Sequence, residues 1–134
     1  MSIKSKIQTR VKRSKRTVFL RSDFKNIAGY DQVGRALREM VSSKELIKIG
    51  YGLYVRARLN RITGVPMPDN QGGADGVLIE AMQRLGEDYQ FDELSIKNME
   101  GLSTQIPAKV IIKPTSSRFV RKIEIGSQGV NIAR

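Results

Sequence analysis

The sequence predicts an α+β fold, and three observations predict it. Segments with helical spacing of apolar residues are interspersed with short β-branched runs. One pair of such runs flanks a glycine-centred turn, and a Pro/Gly-rich stretch separates two halves of unlike charge. A length of 134 residues suits one modest domain or two small lobes. With 40% hydrophobic and 28% charged residues, the composition is that of a chain that folds.

Ile3, Ile7 and Val11 recur every four residues and predict a thin amphipathic helix with Lys4, Lys6, Arg10, Lys12 and Arg13 on its other faces. Thr17-Val18-Phe19-Leu20 is β-branched and aromatic and reads as a brief strand. Ser22 is expected to cap a short helix that runs to Ile27 and stops at Gly29, with Asp23 favoured near its positive end. Asp31 is expected to cap the next helix, 32–43, in which Val33, Leu37, Met40 and Val41 form the buried stripe. The opposite face carries Gln32, Arg35, Arg38, Glu39 and Ser42. Leu46-Ile47-Lys48-Ile49 and Leu53-Tyr54-Val55-Arg56 around Gly50-Tyr51-Gly52 predict a β-hairpin with a glycine-permitted tight turn.

Helix, short strand, helix, helix and hairpin within residues 1–61 is the order of a winged helix-turn-helix, the hairpin being the wing. Charge points the same way. Residues 1–61 hold 16 Lys and Arg against Asp23, Asp31, Glu39 and Glu45, a surplus of +12. The remainder holds 8 against 9 acids, or −1, so the polyanion-binding half is the first one. Arg pairs with guanine edges and Gln with adenine edges, which makes Gln32, Arg35 and Arg38 the expected major-groove readers. Lys12, Arg13, Lys15 and Arg16 have three readings, as a phosphate clamp, a minor-groove arm or a solubilising face, and phosphate contact is preferred. Lys48 on the wing joins the DNA-binding set. Tyr51 at the wing tip either touches the sugar-phosphate backbone or packs on its own hairpin.

Residues 62–76 are expected to be a linker or loop, since 63–76 contain two Pro and four Gly and should hold no regular element. A small α+β lobe, 77–134, is expected to follow. In it Val77, Leu78, Ala81, Met82 and Leu85 repeat at helical spacing between Asp75 as N-cap and Gly86 as stop. A short helix at 95–100, a strand at 108–113 and a closing hairpin of 121–125 with 130–134 around the turn 126–129 complete it.

Gly101-Leu102-Ser103-Thr104-Gln105-Ile106-Pro107-Ala108-Lys109-Val110 and then Arg121-Lys122-Ile123-Glu124-Ile125-Gly126 resemble the signature of the AbiEi-type antitoxins of bacterial type IV toxin-antitoxin systems. Phe19, Asp23-Phe24 and Gly52-Leu53-Tyr54 match that family's winged-helix hallmarks in the same order. The resemblance implies a DNA-binding N-terminal domain that represses its own operon and a C-terminal domain used against a nucleotidyltransferase-like toxin. It also implies that Ser103, Thr104 and Gln105 mark the partner-binding core. Family members continue past the strand that ends here at Arg134, so a short form of the C-terminal domain is expected.

Other chemistry is disfavoured. With no Cys and no His, the chain has no disulfides, no thiolate or imidazole metal ligand and no histidine general base. It has no phosphate-binding Gly-x-x-x-x-Gly-Lys loop. Residues 69–80 have the length of a calcium loop, but Gln71, Gly73 and Ala74 spoil it. Glu87, Asp88, Asp92 and Glu93 read as a solvated surface rather than a magnesium site. Ser103 and Thr104 have no activating base placed by sequence, and their hydroxyls are expected to bond backbone at a helix-to-strand corner. No catalysis and no cofactor is expected. No apolar run approaches the roughly 20 residues that span a bilayer, and Met1-Ser2-Ile3-Lys4-Ser5-Lys6 lacks the apolar core of a signal peptide, so the reading is cytoplasmic. The expected partner is duplex DNA with an inverted repeat, bound by two copies. Two rival classes remain: a toxin-capping interaction module in which the charge only steers, and a binder of structured RNA. Five of the eight aromatics precede the Pro/Gly-rich stretch with no stacking platform apparent, which weakens single-strand recognition.

Overall fold

The computed structural model describes residues 2–91 and 111–132. Within them the fold is α+β, with three helices and small antiparallel sheets. Helix α1, Ile3–Arg13, starts where the Ser2 hydroxyl accepts the Ser5 N–H at 3.1 Å, and it buries Ile7 and Val11. Strand β1, Val18–Leu20, leads into a 3-10 turn, Arg21–Phe24. Helix α2, Tyr30–Ser42, then buries Val33, Gly34, Ala36, Leu37 and Met40. Strands β2, Leu46–Gly50, and β3, Leu53–Leu59, form the expected hairpin, with Gly52 at φ +64° in its turn, a conformation that favours glycine.

Two cap expectations are corrected. Ser22 lies inside the 3-10 turn, and the Asp23 carboxylate reaches back to accept the Leu20 N–H at 2.8 Å. Asp31 lies in the first turn of α2, which follows Gly29 without a side-chain cap. Val41, expected in the buried stripe, is only half-buried at the edge of that core.

The sheet runs β1-β3-β2 and separates two apolar clusters. Alternation along the strands assigns the side chains. Phe19, Tyr54 and Leu46 face α1, α2 and Phe24 on one side, while Val18, Leu53, Val55 and Ile49 face the other. That other side is covered by helix α3, Gly73–Arg84, through Val77, Leu78, Ala81 and Met82. Strands β5, Tyr89–Phe91, and β6, Ile112–Pro114, form one antiparallel pair. Strands β7, Ile123–Ile125, and β8, Gln128–Val130, form another. Ile112, Ile123, Ile125 and Val130 complete the second cluster. One core is therefore built from both sides of the boundary drawn at residue 61.

The stretch 62–76 is not simply a loop. Strand β4, Pro66–Pro68, pairs with the far end of β3, Leu59 opposite Pro66 and Ala57 opposite Pro68, and α3 begins at Gly73 rather than after Asp75. Proline lacks the ladder N–H, yet an edge strand tolerates it. The last hairpin is also tighter than expected, with Gln128 and Gly129 in the strand and Gly126 at φ +60°. The helix expected at 95–100 and the first half of the strand expected at 108–113 lie outside the described residues, while Ile112 and Lys113 lie in β6.

Polar contacts fasten α3 to β1. One Glu80 carboxylate oxygen accepts the Thr17 and Val18 N–H groups at 2.8 and 2.5 Å, and the other accepts the Thr17 hydroxyl at 2.8 Å. Asn70 donates to the same Thr17 hydroxyl oxygen at 2.9 Å. One turn on, Arg84 pairs with the carboxylate of Asp23. Among the described residues, no helix is long and apolar enough to cross a membrane.

Replacing Glu80 by Ala leaves three donors on Thr17 and Val18, at the start of β1, without their acceptor. It is expected to cost about 2–3 kcal/mol in urea unfolding at unchanged m-value. A loss below about 0.5 kcal/mol would show that water replaces the carboxylate at no cost.

Candidate nucleic-acid interface

The apolar stripe of α2 fixes which of its residues meet solvent. With Val33, Leu37 and Met40 buried, Gln32, Arg35, Arg38 and Glu39 are left exposed. Arg35, Arg38, Glu39 and Ser42 line one shallow depression on that outer face. Glu39, the acid that would repel a phosphate there, lies 3.9 Å from the Lys4 ammonium on α1.

The N-terminal end of this face meets the hairpin turn. The Tyr30 and Tyr51 hydroxyls are hydrogen-bonded at 3.2 Å, and both side chains are mostly exposed. Arg21 lies over the Tyr30 ring, 3.3 Å from its centroid, and donates from Nε to the Tyr30 carbonyl at 3.1 Å. Gly34 makes room for it, since a Cβ there would collide with the Arg21 guanidinium. The bond to Tyr51 raises the Tyr30 phenol above its ordinary range, with desolvation adding to it. Burial raises Tyr54 in the sheet beneath, while the charges of Arg21 and Arg38 oppose it.

The basic run at the end of α1 and just beyond it is dispersed rather than gathered there. Lys12 lines a depression with Met40, Ser43 and Lys44 at the C-terminal end of α2, whereas Arg13 lines another with Lys6, Thr9 and Arg10. Lys15 and Arg16 are exposed beyond the helix. Lys48 is exposed on β2. Other cations serve the fold. Arg56 donates to the Val11 and Ser14 carbonyls at 2.8 and 3.0 Å and to Asp69 at 3.0 Å, and Arg10 donates to the Asp23 carbonyl at 3.0 Å. Ser103, Thr104 and Gln105 lie outside the described residues.

Over residues 3–134 the sequence matches a family of unknown function. The chain belongs to DUF6088. No curated protein and no solved structure matches it.

In this DUF6088 chain the sequence pattern identified the outward residues of α2 but missed Arg21, Tyr30 and Arg121. Tyr30 carried a local signal, an aromatic residue just ahead of an amphipathic helix. Arg121 carried none, because its bond to the Tyr51 carbonyl joins residues far apart in the sequence. Among the described residues, no group of three or more acidic side chains is placed to hold a metal ion.

Replacing Tyr51 by Phe removes the hydrogen bond that is the largest cause of the raised Tyr30 pKa. The Tyr30 phenol is expected to titrate at lower pH, followed through its own ring resonances because Tyr51→Phe itself removes one of the four phenols from the summed absorbance. An unchanged Tyr30 titration would refute the tyrosine pair in solution.

Proposed function

We propose that this DUF6088 chain is a sequence-specific DNA-binding regulator of the winged helix-turn-helix kind. On the resemblance of its motifs, it is further an AbiEi-like antitoxin that represses its own operon. The order α1, β1, 3-10 turn, α2 and β2–β3 hairpin supports the winged-helix reading, as does the β1-β3-β2 sheet beneath the helices. One observation carries the DNA reading. Helix α2 has one face sunk in the core and offers Gln32, Arg35 and Arg38 to solvent beside the hairpin turn at Tyr51.

In this mechanism α2 enters the major groove. Arg35 and Arg38 donate paired hydrogen bonds to guanine O6 and N7, and Gln32 pairs with an adenine edge. Lys12, Arg13, Lys15, Arg16 and Lys48 contact phosphates and set affinity rather than sequence choice. Two copies occupy the halves of an inverted repeat, matching protein symmetry to operator symmetry. The role against a nucleotidyltransferase-like toxin, with Ser103, Thr104 and Gln105 at its centre, rests on the motif resemblance. The protein acts in the cytoplasm, and no reaction is assigned to it.

The test is a mobility shift at several salt concentrations, with the duplex upstream of the gene set against a scrambled duplex of equal length. With about six phosphate contacts, log affinity is expected to fall against log salt with a slope near −5. Arg35→Ala is expected to lose about 1–3 kcal/mol of discrimination between the two duplexes, and Lys12→Ala to weaken both alike. Unchanged affinity for the upstream duplex in an Arg35→Ala/Arg38→Ala double variant would overturn the proposal.

A further inference from the structure

A second cationic surface lies across the hairpin turn from α2, and it is built jointly by the two halves of the sequence. Strand β2 and its turn form one wall of a groove, and residues 120–126 form the other. Lys48 is exposed on the first wall, and Lys122 is exposed on the second beside Arg121. Glu124 is the one acid among the groove's lining residues. Among the described residues neither Lys48 nor Lys122 is paired with a carboxylate. The groove therefore presents three cations against one anion.

Its walls are fixed in place. Arg121 donates to the Tyr51 carbonyl, and the Asn131 amide donates to the Arg121 and Phe119 carbonyls at 2.9 and 3.1 Å. At the floor, the Lys122 carbonyl lies so close to Gly50 that a Cβ there would stand 2.8 Å from it. Tyr51 lines the groove and reaches Tyr30, so the groove adjoins the first turn of α2, the helix that carries Arg35 and Arg38.

We propose that this groove is a second binding site for the phosphodiester backbone of the duplex, with Lys122 and Arg121 as phosphate contacts supplied by the C-terminal half. The inference rests on the DNA-reading proposal and extends its footprint beyond the first 61 residues. Charge complementarity selects an anionic occupant. The groove's place beside α2 selects the nucleic acid of the DNA-reading proposal over an acidic peptide. Lys122 is an extended ammonium free to meet a phosphate oxygen, whereas Arg121 spends part of its donor set on Tyr51 and places that turn.

The test uses the full chain and the upstream and scrambled duplexes. Lys122→Gln is expected to weaken both duplexes alike and to make the log–log salt slope shallower by about 0.9, the contribution of one phosphate contact. Lys122→Arg is expected to restore the slope, and Lys113→Gln, an exposed lysine on β6, to leave it unchanged. Circular dichroism of each variant checks that the fold is kept. An unchanged slope in Lys122→Gln, with discrimination still lost in Arg35→Ala, overturns the groove and leaves the DNA reading intact. Absence of duplex binding by the wild-type chain overturns both. Perturbation of the Lys122 resonances by poly-glutamate and not by duplex also overturns the groove, in favour of an acidic peptide.

Discussion

The carboxylate of Glu80 holds the rest of the fold to β1. That strand is three residues long and hydrogen-bonds to a single neighbour, β3, a length and pairing that are marginal in water. Helix α3 supplies what the strand lacks. Its apolar face covers Val18 while Glu80 accepts the N–H groups of Thr17 and Val18, so donors at the start of the strand are satisfied where no further strand lies. Arg84 carries the same grip onward through Asp23, whose other oxygen accepts the Leu20 N–H. Because β1 also contributes Phe19 to the core beneath α1 and α2, the helix from the second half helps to set the height and tilt of the face that carries Gln32, Arg35 and Arg38.

The surplus of positive charge divides into two populations. A guanidinium has five donors in a planar fork and suits carbonyls left open at the end of a helix. Arg56 does this for the last turn of α1, and Arg84 and Arg21 brace β1 and the start of α2. These cations raise the overall charge without being free to meet a ligand. Arg35, Arg38 and the exposed lysines are the other population, held by the fold but not consumed by it. Counting charge along the sequence locates the basic half, and only the hydrogen bonds tell the two populations apart.

Legibility followed sequence distance. The three long helices were readable because the apolar spacing that forms each of them is local, and the hairpin was readable because its glycines sit between two β-branched runs. The outward side of α2 followed from its inward side. The bonds that decide the architecture are not local. Glu80 meets Thr17 and Arg121 meets Tyr51 across 63 and 70 residues of sequence, and nothing in the neighbourhood of either residue points to its partner. The stretch 62–76 misled for a different reason. Its prolines argue against a central strand, but β4 needs few N–H donors at the edge of β3. The resemblance motif at 101–110 and the partner-binding residues in it lie outside the described residues, so the site on α2 is described and the one expected there is not.

The hairpin turn stands between two tethers of different origin. From one side the Tyr30 hydroxyl holds Tyr51 through an exposed hydrogen bond between phenols that also meet water, so it contributes little to stability. From the other side Arg121 holds the Tyr51 carbonyl with a charged donor, and Arg121 is itself positioned by Asn131, which sits at φ +58°. A charge-assisted bond outweighs one between neutral hydroxyls. The place of the turn relative to α2 is therefore governed more by the residues flanking the C-terminal hairpin than by the helix it adjoins. Under the DNA-reading proposal, α2 reads the bases from a rigid, core-anchored face, while the reach of the hairpin toward the backbone is set by the half of the chain that carries no surplus charge.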